Sequence, residues 1–182
     1  MVEKNVRDIM VPISEYAVVD ENDSVLDALI KLKESQINIP PDKFKHRAVL
    51  VRDKNGDIVG KIGHWAFLRS LEPKYDKIGD LGILSRAGLT PEFISSLAVN
   101  WELFKGPLDD YCKKLKEIKV STVMHPISEH IDINSSLNDA IHYILMWQTL
   151  SIVVTDKNKI VGILRLSDLF QEVFGRVVGG CQ

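Results

Sequence analysis

Two kinds of hydrophobic pattern alternate along the chain, and the whole order of patterns occurs twice. Ala48-Val49-Leu50-Val51 and Ser151-Ile152-Val153-Val154 are short, nearly continuous apolar runs of strand length. Each is followed by a tight polar turn, Asp53-Lys54-Asn55-Gly56-Asp57 or Asp156-Lys157-Asn158-Lys159, and then by a second run, Ile58-Val59-Gly60-Lys61-Ile62 or Ile160-Val161-Gly162-Ile163-Leu164. Apolar runs of that length joined through Asp, Asn and Gly predict two hairpins. Ahead of each hairpin, Ser24 to Leu32 and Ser136 to Leu145 predict an amphipathic helix with serine as its N-cap. Behind the second hairpin, Ser167-Asp168 leads into Leu169, Phe170 and Val173 at helical spacing, so a strand feeds a closing helix.

The repeat extends to the opening segments. Val6-Arg7-Asp8-Ile9-Met10-Val11-Pro12-Ile13-Ser14-Glu15 recurs as Val120-Ser121-Thr122-Val123-Met124-His125-Pro126-Ile127-Ser128-Glu129, with Met, Pro, Ile, Ser and Glu identical at one constant offset. Short extended pieces follow, Ala17-Val18-Val19 and Ile131-Asp132-Ile133. The predicted fold class is α+β, of an α/β sandwich-like kind: two β-α-β-β-α units with a helical insertion between them. Neither unit alone has enough layers to cover its apolar strands, so the two are expected to pack together around a pseudo-two-fold axis. The expected boundaries are 1–71 for the first repeat, 72–119 for the insertion, 120–178 for the second repeat and 179–182 for a tail.

Within the insertion, Thr90-Pro91-Glu92 is a strong helix start, and Ile94, Leu97, Ala98, Trp101 and Phe104 recur at helical spacing. Gly106-Pro107 ends that helix, and Leu108 to Ile118 predicts another. The apolar stripe needs a partner, either its own pair of repeats or an oligomer or target protein. Ile78 to Leu84 is broken by glycine and gets no assignment.

At 182 residues, 45% hydrophobic and 26% charged, the chain is long enough for a sizeable core. A formal net charge of −2 argues against a general electrostatic hold on nucleic acid or an anionic membrane. The basic run Lys113, Lys114, Lys116 and Lys119 is interspersed with acidic residues and reads as a solvated face. Cys112 and Cys181 have no metal-ligand spacing with histidine, which fits a reducing cytoplasm better than a disulfide framework. No apolar run approaches the roughly 18 residues of a membrane span, although a cytoplasmic piece of a membrane protein would read alike.

No catalytic constellation is expected. There is no Gly-x-Ser-x-Gly, P-loop or Rossmann glycine fingerprint, and no histidine pair placed to hold a metal. The polar junction at Ser167-Asp168 has two readings: a helix cap, or a carboxylate at a helix N-terminus that accepts from sugar hydroxyls.

The openings VRDIMVP and VSTVMHP, the strand ending in Asp before a Lys-Asn turn, and the Ile-Val-Gly strand leading to Leu-Ser-Asp-Leu together resemble the cystathionine beta-synthase (CBS) domain, which occurs in tandem pairs. The resemblance covers about Val6 to Leu71 and Val120 to Phe174. It implies a pair of units whose interface holds up to two clefts for an adenosine compound, a regulatory role such as energy sensing, and frequent association as a flat homodimer. The family's ligand signature maps onto Gly162, Ile163, Leu164, Arg165, Leu166, Ser167 and Asp168. Asp168 falls where the family binds the ribose hydroxyls, and Arg165 replaces the usual Ser or Thr. Arg165 is suited to pair with a phosphate through its planar fork, which would favour AMP, ADP or ATP over adenosine, but it is equally suited to obstruct the cleft or to face solvent. Val120, Thr122, Met124, Ile152 and Val153 are expected to wall the adenine, or else to be plain core.

The first copy is degenerate, with Gly63 at the Ser/Thr place and Ala66 at the Asp place. At most one well-formed site is therefore expected, with Lys61, His64, His46 and Arg47 as a possible positive rim to the other. Three classes remain: a nucleotide-sensing regulatory module that needs no cofactor, an interaction or dimerisation scaffold working through the insertion, and, least supported, an enzyme.

Overall fold

In each copy the first helix starts on a serine. Ser24 precedes α1 (Val25–Ser35) and Ser136 precedes α6 (Leu137–Trp147). Each hydroxyl accepts the N–H of the residue three positions on, at 3.1 Å, while Asp27 or Asp139 accepts the serine N–H in return. These reciprocal bonds satisfy N–H groups that a helix end leaves open. The computed structural model describes residues 4–37, 39–41, 43–79, 83–84 and 88–180. Asp80 to Gly82, within the unassigned glycine-broken stretch, and Cys181 lie outside the described residues.

The strands form two sheets with equivalent orders. One is β1 (Val11–Pro12), β8 (Lys159–Arg165), β7 (Ser151–Asp156) and β6 (His130–Asp132); the other is β5 (His125–Pro126), β4 (Ile58–Gly63), β3 (Ala48–Arg52) and β2 (Val18–Asp20). The hairpins are antiparallel, β3 with β4 and β7 with β8, while β2 pairs parallel to β3 and β6 to β7. The architecture is α+β, with two β-α-β-β-α units as the hydrophobic pattern predicts.

Strand periodicity accounts for the layering. Val49 and Val51 face α1, α2 (His64–Leu71) and α4 (Tyr111–Glu117) in a core with Val25, Ala28, Leu32, Phe67 and Leu115. Ile152, Val154 and Leu164 face α6 and α7 (Leu166–Gly180) with Ala140, Ile144 and Leu169. The alternate residues, Leu50 and Ile163, point the other way and meet between the sheets with Val11 and Tyr16. Successive strand side chains lie on opposite faces, so strands covered on both faces read as unbroken apolar runs.

One feature departs from the simple repeat: the opening segments are exchanged. β1, from the first copy's opening, pairs antiparallel with β8 of the second copy, Val11 opposite Ile163 and Pro12 opposite Gly162. β5, from the second copy's opening, pairs with β4 of the first, Gly60 opposite Pro126 and Lys61 opposite His125. Val6 packs in the second-copy core and Val120 in the first-copy core. Gly60 and Gly162 make room for this exchange. A Cβ on Gly162 would sit 2.6 Å from the Val11 carbonyl oxygen and 3.0 Å from Met10 Sδ; one on Gly60 would sit 2.5 Å from Met124 Sδ and 3.2 Å from the His125 carbonyl oxygen.

In the insertion, α3 (Pro91–Asn100) begins on Thr90, whose hydroxyl accepts the Phe93 N–H at 3.2 Å. The helix stops at Asn100, so Trp101 and Phe104 do not continue its stripe. Glu102 and Phe104 adopt left-handed φ of 52°. Polar partners hold the chain off the helical path: the buried Glu72 carboxylate accepts the Phe104 N–H at 3.1 Å, and Lys74 donates to the carbonyls of Trp101 and Glu102 at 3.1 and 3.2 Å. A short 3-10 turn, Leu108–Asp110, precedes α4, whose Tyr111 and Leu115 are buried while Lys113, Lys114 and Lys116 are exposed. α5 (Val120–Val123) is a single turn that opens the second copy. Among the described residues, no helix is long and apolar enough to cross a membrane.

Candidate functional site

Arg165 is the last residue of β8 and Asp168 the third of α7, so the strand-to-helix junction brings the two side chains together. The guanidinium meets the carboxylate as a fork. Nε donates to Oδ2, and Nη2 donates to Oδ1 at 2.7 Å. Side-chain exposure is only 11% for Arg165 and 16% for Asp168, so this pair is far better shielded than the surface ion pair of Arg52 with Asp20, at 51% each. Shielding matters because exposed pairs contribute little, whereas screened-off pairs hold their geometry.

The remaining guanidinium nitrogen reaches the other copy. Nη1 donates to the Phe44 carbonyl at 2.9 Å and stands 3.5 Å from His46 Nδ1. His46 is buried, and its ring tilts against Tyr16 with centroids 4.4 Å apart. Burial, then the Arg165 charge, holds the His46 imidazole below its ordinary pKa, against smaller opposing effects of Glu15 and Asp168, so it is neutral beside the guanidinium. Burial is also the main reason the Tyr16 phenol is held well above its usual value. Burial alone would weaken the Arg165 charge, but the hydrogen bonds and charge of Asp168 outweigh it and hold the guanidinium above its usual value.

The other end of the pair carries the degenerate junction. Gly63 caps α2 without a side-chain bond, and Ala66 stands where the second copy has Asp168. Lys61 leans across from β4 to the second copy, its ammonium donating to the Ser151 carbonyl at 2.7 Å and to Ser151 Oγ at 3.2 Å. Burial lowers its pKa, partly opposed by Glu129. His64 and Arg47 are exposed, while His46 belongs to the Arg165 cluster rather than to this rim. An open cleft of about 450 Å³ is lined by Ile58, Val59, Ile127, His130, Thr155, Asn158 and Ile160, none of them among the expected ligand residues.

The structure therefore gathers only part of the expected site. Asp168, Ser167 and Arg165 share one junction. Because the openings are exchanged, Val120 and Met124 pack with the first copy, Met124 against Gly60, and the Thr122 hydroxyl donates to the carbonyl of Lys119, just ahead of the opening segment. Ile152 lies fully buried under α6 and α7, and Val153 is 1% exposed. The first-copy groups at this junction, the Phe44 carbonyl and His46, meet Arg165, with Tyr16 against His46, and no local motif in the sequence marks them. Among the described residues, no group of three or more His, Cys, Asp or Glu is placed to hold a metal ion.

The sequence model of one family, described as the CBS domain, matches residues 6–72 and 120–175. No curated protein matches the chain. Solved structures share the fold. The CBS domain of a CBS domain containing membrane protein from Sphaerobacter thermophilus is 23% identical, with a TM-score of 0.60 over 93% of this chain and 87% of the other. CBSX2 in complex with AMP is 23% identical, with a TM-score of 0.58 over 94% and 97%. The CBS domain of a bacterial CNNM/CorC family Mg2+ transporter in complex with ATP is 17% identical, with a TM-score of 0.59 over 94% and 88%.

Proposed function

The chain belongs to the CBS domain family, and from that premise we propose that it is a regulatory module that binds an adenine nucleotide beside Asp168 and transmits its occupancy to an attached or partner protein. The observation that carries this reading is the shielded carboxylate at the start of α7, with an arginine fork beside it and first-copy groups against that fork. A carboxylate accepts from two vicinal ribose hydroxyls at once, and a guanidinium binds phosphate bidentately. The first-copy residues Tyr16, Phe44 and His46 replace the expected adenine wall of Val120, Thr122, Met124, Ile152 and Val153. The AMP and ATP complexes among proteins of this fold support the ligand class. A cytoplasmic homodimer without catalytic activity completes the proposal.

Thermal unfolding with AMP, ADP, ATP, adenosine and S-adenosylmethionine tests it. A nucleotide at about 100 times its Kd adds roughly 2.7 kcal/mol, and Asp168→Ala is expected to abolish the rise. If no adenosyl compound moves the midpoint, the nucleotide reading fails. The scaffold reading then takes its place, favoured by α3, which leaves Phe93, Ile94 and Val99 exposed at 45, 52 and 75%. In that case Ile94→Glu, and not Asp168→Ala, removes association in sedimentation velocity.

A further inference from the structure

We infer that Arg165 is a latch that selects for a phosphate-bearing ligand and couples the Asp168 junction to the first copy; the inference rests on the nucleotide-binding reading above. Both oxygens of Asp168 accept from Arg165, and the guanidinium's third nitrogen is committed to the Phe44 carbonyl. A ribose diol that grips the carboxylate in the same fork takes the lone pairs that now face Arg165, so binding in that pose moves the arginine aside. The guanidinium is shielded from water where it stands and cannot be left there unpaired without cost. Adenosine brings no replacement for the lost carboxylate, whereas AMP, ADP or ATP brings a phosphate whose oxygens match the planar fork. The family's usual serine or threonine at this position carries no such requirement.

Displacement also breaks the bond from Arg165 Nη1 to Phe44, which ties the junction to residues 43–47 of the other copy. Those residues lead directly into β3, whose Leu50 packs between the sheets. A ligand shifts an equilibrium only through its different affinity for two arrangements. Here the arrangements are latched, with Arg165 on Asp168 and Phe44, and unlatched, with Arg165 on phosphate.

Calorimetric titration of wild type, Arg165→Ser and Arg165→Lys with AMP and adenosine tests the latch. Wild type is expected to prefer AMP by about tenfold or more. In Arg165→Ser adenosine binds more tightly than in wild type and the preference falls to near unity, and Arg165→Lys, with charge but no fork, lies between. An AMP preference unchanged in Arg165→Ser overturns the latch and leaves the nucleotide site standing, while failure of all three proteins to bind either compound overturns both. A ligand-free arm reads the tie itself: amide hydrogen exchange over residues 44–47 is expected to quicken several-fold in Arg165→Ser, and an unchanged rate there overturns the coupling to the first copy.

Discussion

Replacing Gly162 with alanine tests the exchange of opening segments directly. The added methyl would stand 2.6 Å from the Val11 carbonyl oxygen and 3.0 Å from Met10 Sδ. The carbonyl belongs to a strand held in register, Val11 opposite Ile163 and Pro12 opposite Gly162, so it cannot retreat without loosening β1 from β8. Overpacking of this kind costs about 1–3 kcal/mol. Removing glycine's freedom from the unfolded chain returns only about 0.4–1 kcal/mol. For a chain of this length each kcal/mol moves the midpoint by roughly 2–4 °C, so Gly162→Ala should unfold several degrees below wild type by differential scanning calorimetry. Gly60→Ala should cost less, because its nearest obstacle at 2.5 Å is the flexible end of Met124, with the His125 carbonyl oxygen at a milder 3.2 Å. Gly175→Ala is the control: nothing lies within 4 Å of its added Cβ, and alanine favours the helix interior by roughly 0.5–1 kcal/mol. If Gly162→Ala is as stable as wild type, or Gly60→Ala is the worse of the two, the close approach of β1 to β8 is refuted.

Other outcomes follow from the same contacts. His46 has a folded pKa below its ordinary value of about 6.5, so the unfolded chain takes up the proton first. Its share of stability is full above pH 6.5 and is lost as pH falls toward the folded value. The fall in urea midpoint between pH 7.5 and 5.5 should therefore be smaller in His46→Gln than in wild type, and equal slopes would contradict the burial of a neutral imidazole against Arg165. Ser24→Ala and Ser136→Ala should each cost about 1 kcal/mol by chemical denaturation, and nearly additively in the double variant because the caps serve different copies. Lys61→Ala removes two hydrogen bonds from β4 to Ser151 and should cost about 1–2 kcal/mol; an unchanged midpoint would mean that this link between the copies is idle.

The repeat, both hairpins, the capped helices and the start of α3 are legible in the sequence because each depends on local chemistry: serine three residues ahead of an acid, apolar runs between Asn-rich turns, Thr-Pro at a helix start. The exchange of the openings is not local. Met10 and Met124 stand in near-identical segments, Met10 over Gly162 and Met124 over Gly60, so the chain carries no local mark of which copy each opening joins. The expected adenine wall of Val120, Thr122, Met124, Ile152 and Val153 follows from the family resemblance, whereas the first-copy groups that Arg165 meets, the Phe44 carbonyl and His46, carry no local mark. The Arg165 fork was legible as a departure, but its partners were not. A guanidinium facing phosphate, solvent or the next carboxylate leaves the same letters, and only the three-residue spacing onto a helix start favours Asp168. The end of α3 differs from the expected one for a similar reason, since the Glu72 carboxylate that holds Phe104 off the helix lies 32 residues upstream.

The central claim is that a second-copy carboxylate and first-copy groups form one nucleotide site. NMR spectra of the labelled protein titrated with AMP examine it most directly. Shift changes and ligand contacts concentrated on Asp168 together with Tyr16, Phe44 and His46 are the predicted result. Contacts confined to Val120, Thr122 and Met124, with Asp168 and Arg165 undisturbed, would contradict it.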